Sequence, residues 1–188
     1  MTVTERSLSR LQQQRGRASA LILIGFATSL LLLSAGFFGS IRINATASGA
    51  IGLWRIMPLT SRPQVGETVF VCLPPGKVMD EAYRRGYLRR GLCPGGVGPL
   101  IKTVVAVGGQ EVEVTDRLSI DGIVLPHSQL LEIDGQGRAL HHDRGGVVPD
   151  GGIYLHSPFG ASWDSRYFGA VPQSGVLGLA KEILTYAP

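Results

Sequence analysis

Lys102 stands in a segment, LIKTVVAVG at residues 100–108, in which nearly every neighbour is apolar. Lysine side chains are seldom buried without a partner, and removal of the ammonium group from water lowers its pKa. A lysine that is neutral near pH 7 can act as a general base. The alternative is a lysine on an edge strand that points into solvent, and the strand pattern alone does not decide between the two.

A general base needs a nucleophile, and Ser48 is the candidate. It lies in TASGA, residues 46–50, where Gly49 and Ala50 would let a substrate backbone approach closely. The hydroxyl of Thr46 and the backbone N–H of Ser48 could together hold an oxyanion. Taken by itself the segment is weak as a motif, because serine beside small residues is common in ordinary loops.

A third polar cluster lies in SWDSRYFG, residues 162–169. Asp164 and Arg166 could form an ion pair that fixes a loop, which is the structural interpretation. Ser162 or Asp164 could instead position a lysine ammonium by hydrogen bonding. The pattern alone favours the structural interpretation.

Histidine and metal chemistry are not indicated. A Ser–His–Asp hydrolase would need one of the four histidines as its base, and the chain has no G-x-S-x-G motif. His141, His142 and Asp143 are adjacent, and neighbouring side chains on an extended segment point to opposite faces. We therefore expect no bound metal and no other cofactor.

An uncharged segment precedes these residues. Residues 18–41 carry no charged side chain, and their 24 residues exceed the roughly 20 that a helix needs to cross a bilayer. The arginines before the segment and the sparse charge after it predict a cytoplasmic N-terminus. We therefore predict a cytoplasmic tail over 1–17, a single inner-membrane anchor over 18–41 and a periplasmic domain over 43–188. The ATA at 45–47 resembles a signal-cleavage site, but the apolar run is longer than the ~7–15 residues of a secretory signal.

The rest of the chain reads as a mostly β domain of short strands. We predict a hairpin at the Asp-Gly of LSIDGIVL and one short helix over 78–85. Further strands are predicted over 67–73, 100–108, 110–115, 151–157 and 175–184.

Cys72 and Cys93 are the two cysteines of the chain. In a periplasmic domain they should form a disulfide, worth about 3 kcal/mol for a loop of this length.

The charge distribution argues against nucleic acid as a partner. The net charge of +4 comes from the N-terminus, because residues from 43 onward contain 13 basic and 13 acidic side chains. A nucleic-acid-binding domain should carry the basic excess on its folded part. YRRGYLRR, residues 83–90, is the basic cluster of the domain, and we interpret it as a solvated, mobile surface segment.

In their order along the chain, these pieces resemble the S26 family of Ser–Lys signal peptidases, and most closely its conjugative-transfer, TraF-type branch. The resemblance covers nearly the whole sequence. After the apolar segment it rests on NATASGAIGLWRI, VCLPP, RGYLRRGLCPGGVGPLIKTVVAVGG, SWDSRYFGAVP and GVLGLA. It implies a signal-peptidase-like, mostly β fold with one N-terminal transmembrane helix.

The resemblance also implies roles for the polar residues. Ser48 would be the nucleophile, Lys102 the general base, and Thr46 a contributor to the oxyanion hole. Asp164 matches an aspartate that TraF-type enzymes need. The supporting residues are Ser162, which matches a serine that orients the lysine, and Arg166, which would pair with Asp164.

The implied activity is processing of a pilin precursor through an acyl-enzyme, followed by head-to-tail cyclisation of the product. The implied partners are this precursor, the membrane and the proteins that assemble the conjugative pilus. Two alternatives stay open: a general type I signal peptidase that cleaves exported preproteins, and a non-catalytic anchored scaffold of the transfer apparatus. Gly49-Ala50 stands where the family usually has Met-Pro, which loosens the loop around Ser48 and is the best support for the scaffold.

Overall fold

The computed structural model describes residues 3–38 and 40–186, which fall into two compact units, one up to Ile41 and one from Arg42 onward. The first unit contains α1 (Val3–Phe38). Within it, Gln13–Ser34 is long and apolar enough to cross a membrane, judged by length and composition. The predicted polar tail is therefore helical from Val3. Residues 1–2, 39 and 187–188 of the predicted segments lie outside the described residues.

The predicted membrane segment extends three residues beyond the helix. Helix α1 ends at Phe38, whereas the prediction continued to Ile41. Ser40 has a φ of 53°, which is incompatible with a right-handed helix, and a strand begins at Ile41. The absence of charge could not locate this boundary, because the first charged residue after the helix is Arg42, which already lies in the strand.

The second unit is mostly β, as predicted. Its strands are, in chain order, β1 (Ile41–Asn44), β2 (Ile51–Met57), β3 (Thr68–Val71), β4 (Leu100–Val107), β5 (Glu111–Val114), β6 (Leu118–Ile120), β7 (Ile123–Val124), β8 (Gly146–Val147), β9 (Gly152–His156), β10 (Val171–Pro172) and β11 (Val176–Tyr186). Its helices are α2 (Lys77–Arg84) and the single-turn α3 (Ser165–Phe168), and two short 3₁₀ turns occupy Pro94–Gly96 and Gln173–Gly175.

In the described part of the chain, seven strands form one sheet in the order β1-β2-β11-β3-β4-β9-β10. Strand β4 pairs antiparallel with β3 on one side and with β9 on the other. Its side chains alternate, so that Lys102, Val104 and Ala106 are buried. The sheet thus places Lys102 on an interior strand and in the layer of side chains that faces the core.

The second sheet of the described residues has four strands in the order β7-β6-β5-β8. Strands β6 and β7 form the hairpin predicted at Asp-Gly, with Ile120 opposite Ile123. Asp121 and Gly122 both have positive φ, 50° and 77°, as a tight two-residue hairpin turn requires.

A disulfide between Cys72 and Cys93, with Cα atoms 5.6 Å apart, confirms the predicted pairing. It closes the segment that contains α2. Both cysteines are buried in the main apolar core, against residues such as Val71, Leu88 and Val97. The bridge therefore joins the end of β3 to an irregular segment that has few strand hydrogen bonds of its own.

Candidate active site

Lys102 is almost completely buried, with 2% of its surface exposed. Because β4 has strands on both sides, the alternative of an edge-strand lysine in solvent is wrong. Its Nζ donates a hydrogen bond to the Oγ of Ser162 at 2.7 Å. The structure thus brings together two of the predicted residues that lie 60 positions apart in the chain.

The pKa of Lys102 is lowered to about 8. Burial is the main cause, because it removes the ammonium group from water. The negative charge of Asp164 raises the pKa and the positive charge of Arg166 lowers it, so these two neighbours oppose one another. The ammonium group of Lys102 therefore titrates about one pH unit above neutral pH.

Asp164 and Arg166 form a fully buried ion pair. The Oδ1 of Asp164 accepts from the Nε of Arg166 at 2.8 Å, and its Oδ2 accepts from Nη2 at 2.9 Å. Asp164 also caps α3, because its Oδ1 accepts from the backbone N–H of Arg166. Arg166 donates further to the carbonyl oxygens of Ser162 and Gln129. The pairing predicted from the sequence is present, and it also fixes the segment that carries Ser162.

His156, at the end of β9, was not predicted as part of the site. Its Nδ1 lies 3.3 Å from the Oδ2 of Asp164, and the ring is buried. Burial lowers its pKa to about 4, with the positive charges of Arg166 and Lys102 acting in the same direction against Asp164. The imidazole is therefore neutral at pH 7. Its Nε2 has no hydrogen-bond partner among the described residues.

Ser48 lies in the turn between β1 and β2, here called the Ser48 loop (residues 44–50). The side chain of Asn44 organises this loop from within. Its Nδ2 donates to the carbonyl oxygens of Thr46, Gly49 and Ala50 at 2.9–3.2 Å, and its Oδ1 accepts from the N–H and the hydroxyl of Thr46. The Asn44 side chain thus fixes main-chain atoms on both sides of Ser48 by hydrogen bonding.

The hydroxyl of Thr46 lies 2.7 Å from Asn44 Oδ1 and 3.2 Å from the Oγ of Ser48. A hydroxyl carries one proton, and Asn44 Oδ1 can only accept. Thr46 therefore donates to Asn44 and accepts from the Ser48 hydroxyl. A donor role for Thr46 in an oxyanion hole would require its hydroxyl to rotate away from Asn44, and that role stays a prediction.

Ser48 makes no hydrogen bond to Lys102 within the described part of the chain. Ser157 instead joins the Ser48 loop to Asp164, because its hydroxyl donates to the carbonyl oxygen of Ser48 at 2.7 Å. The N–H of Ser157 donates to the Oδ2 of Asp164 at 3.2 Å. Asn44, Ser157 and His156 were not predicted from the sequence. Asn44 had a signal, because it opens the segment NATASGAIGLWRI on which the family resemblance rests, whereas Ser157 had none.

Comparison with known proteins shows the family to which the chain belongs. Residues 15–185 match the family described as Signal peptidase, peptidase S26, and the chain therefore belongs to that family, in its TraF-type branch. It is 51% identical over 178 residues to a probable conjugal transfer protein TraF of Sinorhizobium fredii, which covers 93% of this chain and 95% of the relative. The conjugal transfer protein TraF of Agrobacterium tumefaciens is 50% identical over 175 residues, which cover 93% and 99% of the two chains.

A crystal structure of a signal peptidase I from Enterococcus faecalis is also similar. It is 21% identical, with a TM-score of 0.39, and the similarity covers 63% of this chain and 97% of the other.

Proposed function

We propose that this chain is a membrane-anchored serine peptidase of a conjugative transfer system, with Ser48 as nucleophile and Lys102 as general base. The observation that carries the proposal is the burial of Lys102 with a pKa of about 8. At pH 7 such a lysine is neutral about 300 times more often than one with the ordinary value of 10.5. A lysine that can lose its proton near neutral pH is the general base that a Ser–Lys mechanism needs.

In the proposed mechanism, Lys102 keeps its hydrogen bond to Ser162 and uses its lone pair to take the proton of the Ser48 hydroxyl. The Ser48 oxygen attacks the scissile carbonyl, while the Ser48 N–H and the Thr46 hydroxyl stabilise the oxyanion. A strong oxyanion donor is worth ~3–4 kcal/mol. The Lys102 ammonium then returns its proton to the leaving amine, and an acyl-enzyme remains on Ser48.

The proposed substrate is a pilin precursor, which is what the resemblance to the TraF-type branch implies. The names of the similar proteins support a role in conjugal transfer. The acyl-enzyme can be resolved by water, which gives a linear product. It can instead be resolved by the N-terminal amine of the same polypeptide, which forms an amide bond and closes the chain head-to-tail. In both cases neutral Lys102 accepts a proton from the attacking group. We propose the second route.

The proposed topology has a cytoplasmic N-terminus, one span of the inner membrane and a periplasmic peptidase domain. Two observations support it: the apolar helix that contains Gln13–Ser34, and the disulfide between Cys72 and Cys93. Disulfides of this kind persist in oxidising compartments such as the bacterial periplasm. The membrane and the pilus-assembly proteins would then be its neighbours.

The test is the intact mass of the pilin from cells that carry the wild-type chain, Ser48→Ala or Lys102→Ala. Ser61→Ala and Lys181→Ala are matched controls, because both side chains are exposed. We expect the wild type and the controls to yield a trimmed pilin lighter than the linear peptide by one water molecule. Ser48→Ala and Lys102→Ala should leave the precursor uncut.

Each other outcome has a defined meaning. A trimmed linear pilin that depends on Ser48 would keep the peptidase and overturn cyclisation. Near-normal processing by Lys102→Ala would overturn the Ser–Lys mechanism. Equal pilin masses from all strains would favour the scaffold, and rescue of a strain depleted of its housekeeping signal peptidase would favour the general enzyme.

A further inference from the structure

Ser157 follows β9 directly, and its two hydrogen bonds reach different parts of the site. Its hydroxyl donates to the carbonyl oxygen of Ser48 at 2.7 Å, and its N–H donates to Asp164 at 3.2 Å. The residue is buried, with 4% of its surface exposed. Ser157 thus joins the buried ion pair, through its backbone N–H, to the Ser48 loop, through its hydroxyl, which bonds a residue 109 positions earlier in the chain.

The backbone of Ser157 is fixed relative to Lys102 by the sheet. Its neighbour His156 pairs with Thr103 in the antiparallel ladder between β9 and β4. Thr103 follows Lys102 directly. The position of the Ser157 hydroxyl therefore follows from the same strand pairing that positions the Lys102 amine.

Two side chains from outside the Ser48 loop bond to its main chain: Ser157, and Trp54 of β2, whose Nε1 donates to a carbonyl oxygen of the loop at 2.9 Å. Trp54 belongs to the strand that follows the loop, and that strand pairs with β11. Asn44 joins the carbonyl oxygens of the loop to one another, but Asn44 is itself part of the loop and cannot set the position of the loop relative to β4. Gly49, directly after Ser48, has the largest conformational freedom of any residue type. Apart from the bond from Ser157, the described residues provide no side-chain hydrogen bond from the β4–β9 region to the loop.

We propose that Ser157 is a positioning residue, whose hydroxyl fixes the Ser48 main chain relative to β4, the strand that carries Lys102. This inference rests on the proposed function. Ser157 exchanges no proton with the substrate and acts through the placement of Ser48. A displacement of about 1 Å in a reacting group can lower a rate by about 100-fold.

The test measures kcat and KM of the full-length chain in detergent micelles, with the purified pilin precursor as substrate. We expect Ser157→Ala to lower kcat by 10- to 100-fold with little change in KM, because the contact concerns the nucleophile and not the bound peptide. The midpoint of the pH–rate profile should stay at its wild-type value, since all the partners of Lys102 remain in place. Ser119→Ala, at another buried serine that bonds Glu113, should keep wild-type kcat.

Ser157→Thr and Ser157→Val form a pair of equal shape that differs in the hydroxyl alone. We expect the threonine variant to retain at least ten times the kcat of the valine variant. A comparison of these two variants tests the role of the hydroxyl even if Ser157→Ala lowers the melting temperature of the chain. Equal kcat values for the threonine and valine variants would overturn the proposal, as would wild-type kcat in Ser157→Ala.

The Ser48→Ala variant distinguishes failure of the positioning role of Ser157 from failure of the proposed function. If Ser48→Ala cuts the precursor at the wild-type rate, Ser48 is not the nucleophile, and both the function and the role of Ser157 fall. If Ser48→Ala is inactive and Ser157→Ala is fully active, the peptidase remains and the positioning role alone is wrong.

Discussion

The two halves of the site are built in opposite ways. The Lys102 cluster, which comprises Lys102, His156, Ser162, Asp164 and Arg166, is buried throughout and contains both signs of charge. The Ser48 loop is only partly buried, contains no ionisable side chain and is held by hydrogen bonds to its own carbonyl oxygens. One region is a charged network in the core, and the other is a neutral turn that solvent can reach.

The difference follows from the chemistry that each region would perform. A lysine is neutral near pH 7 only if it is kept away from water, and burial of its charge must be balanced by partners. A nucleophile must instead stay open to a polypeptide substrate, so it cannot be packed into the core. Substitutions in the Lys102 cluster should therefore change stability and activity together, whereas those in the Ser48 loop should change mainly activity.

The largest effect on stability should come from Asp164→Ala. It leaves the fully buried guanidinium of Arg166 without its carboxylate, and breaking a buried pair in this way costs about 3–5 kcal/mol. Denaturant unfolding of the full-length chain in detergent should show this loss together with loss of processing. Glu81→Ala is the control, because Glu81 pairs with Arg84 and Arg85 at the surface and its loss should hardly change stability. Equal effects of the two variants would contradict the buried network.

The next effect is the contribution of Lys102 to the pH dependence of stability. The pKa of Lys102 is about 8 when folded and 10.5 in the unfolded chain, so between these values the unfolded state binds the extra proton. This contribution should therefore rise with pH over the window, by about 3 kcal/mol in all. It must be measured as a difference between two proteins, because burial raises the pKa of Tyr154 and gives an opposite contribution at high pH. The comparison is Lys102→Met, which keeps the length of the side chain and removes the titration. Parallel curves of unfolding free energy against pH for the two proteins would show that Lys102 is not desolvated.

Several features of the Lys102 cluster could be predicted from the sequence. The apolar run around Lys102 predicted a strand, but it left open whether Lys102 is buried or points into solvent, and the pairing of β4 with strands on both sides decides this. The spacing of Asp164 and Arg166 predicted an ion pair, which is present because Asp164 caps the short helix α3 that begins at the next residue. In these cases the interacting residues are close in the chain, or the chemical type of a residue and its immediate neighbours indicates its environment.

Strand β2 was missed for a different reason. It pairs with β11, which was predicted, more than 100 residues later in the chain, and its Gly52 weakens the β signal of the short segment. A Cβ on Gly52 would collide with the carbonyl oxygen of Leu184, and one on Gly178 with that of Met57. These glycines allow two backbones to approach closely, which only the folded sheet makes visible. Ser157 was missed for a related reason, since its partners are a distant carbonyl oxygen and Asp164.

A smaller effect on stability, with a large effect on activity, is expected from Asn44→Ala. The substitution removes three donated and two accepted hydrogen bonds that hold the Ser48 loop. The carbonyl oxygens lie in a partly exposed turn where water can replace Asn44, so we expect a cost of about 1–2 kcal/mol. Processing should fall by about 100-fold, because Ser48 and Thr46 lose their fixed geometry. If stability falls as far as in Asp164→Ala, the proposed contrast between the two regions fails.

The smallest effect should come from Gly49→Ala. This variant tests whether the conformation of the Ser48 loop requires glycine at position 49 or is set by the hydrogen bonds from Asn44. Gly49 does not have a positive φ, and a Cβ there would meet only the Nδ2 of Asn44 at 3.6 Å, an ordinary contact. Alanine should therefore be accepted, with a gain of about 0.4–1 kcal/mol from the lower entropy of the unfolded chain. Processing should stay near the wild-type rate, because the hydrogen bonds from Asn44 and Ser157 are unchanged.

The matched variant is Gly52→Ala, at a glycine with a φ of 140° whose Cβ would strike the backbone of β11. It should destabilise the chain where Gly49→Ala stabilises it. Thermal unfolding of the two variants side by side gives the sign of each change. If Gly49→Ala lowers the processing rate as strongly as Asn44→Ala does, glycine at position 49 is itself required for the approach of the substrate. The hydrogen bonds from Asn44 would then be insufficient to explain how the loop presents Ser48.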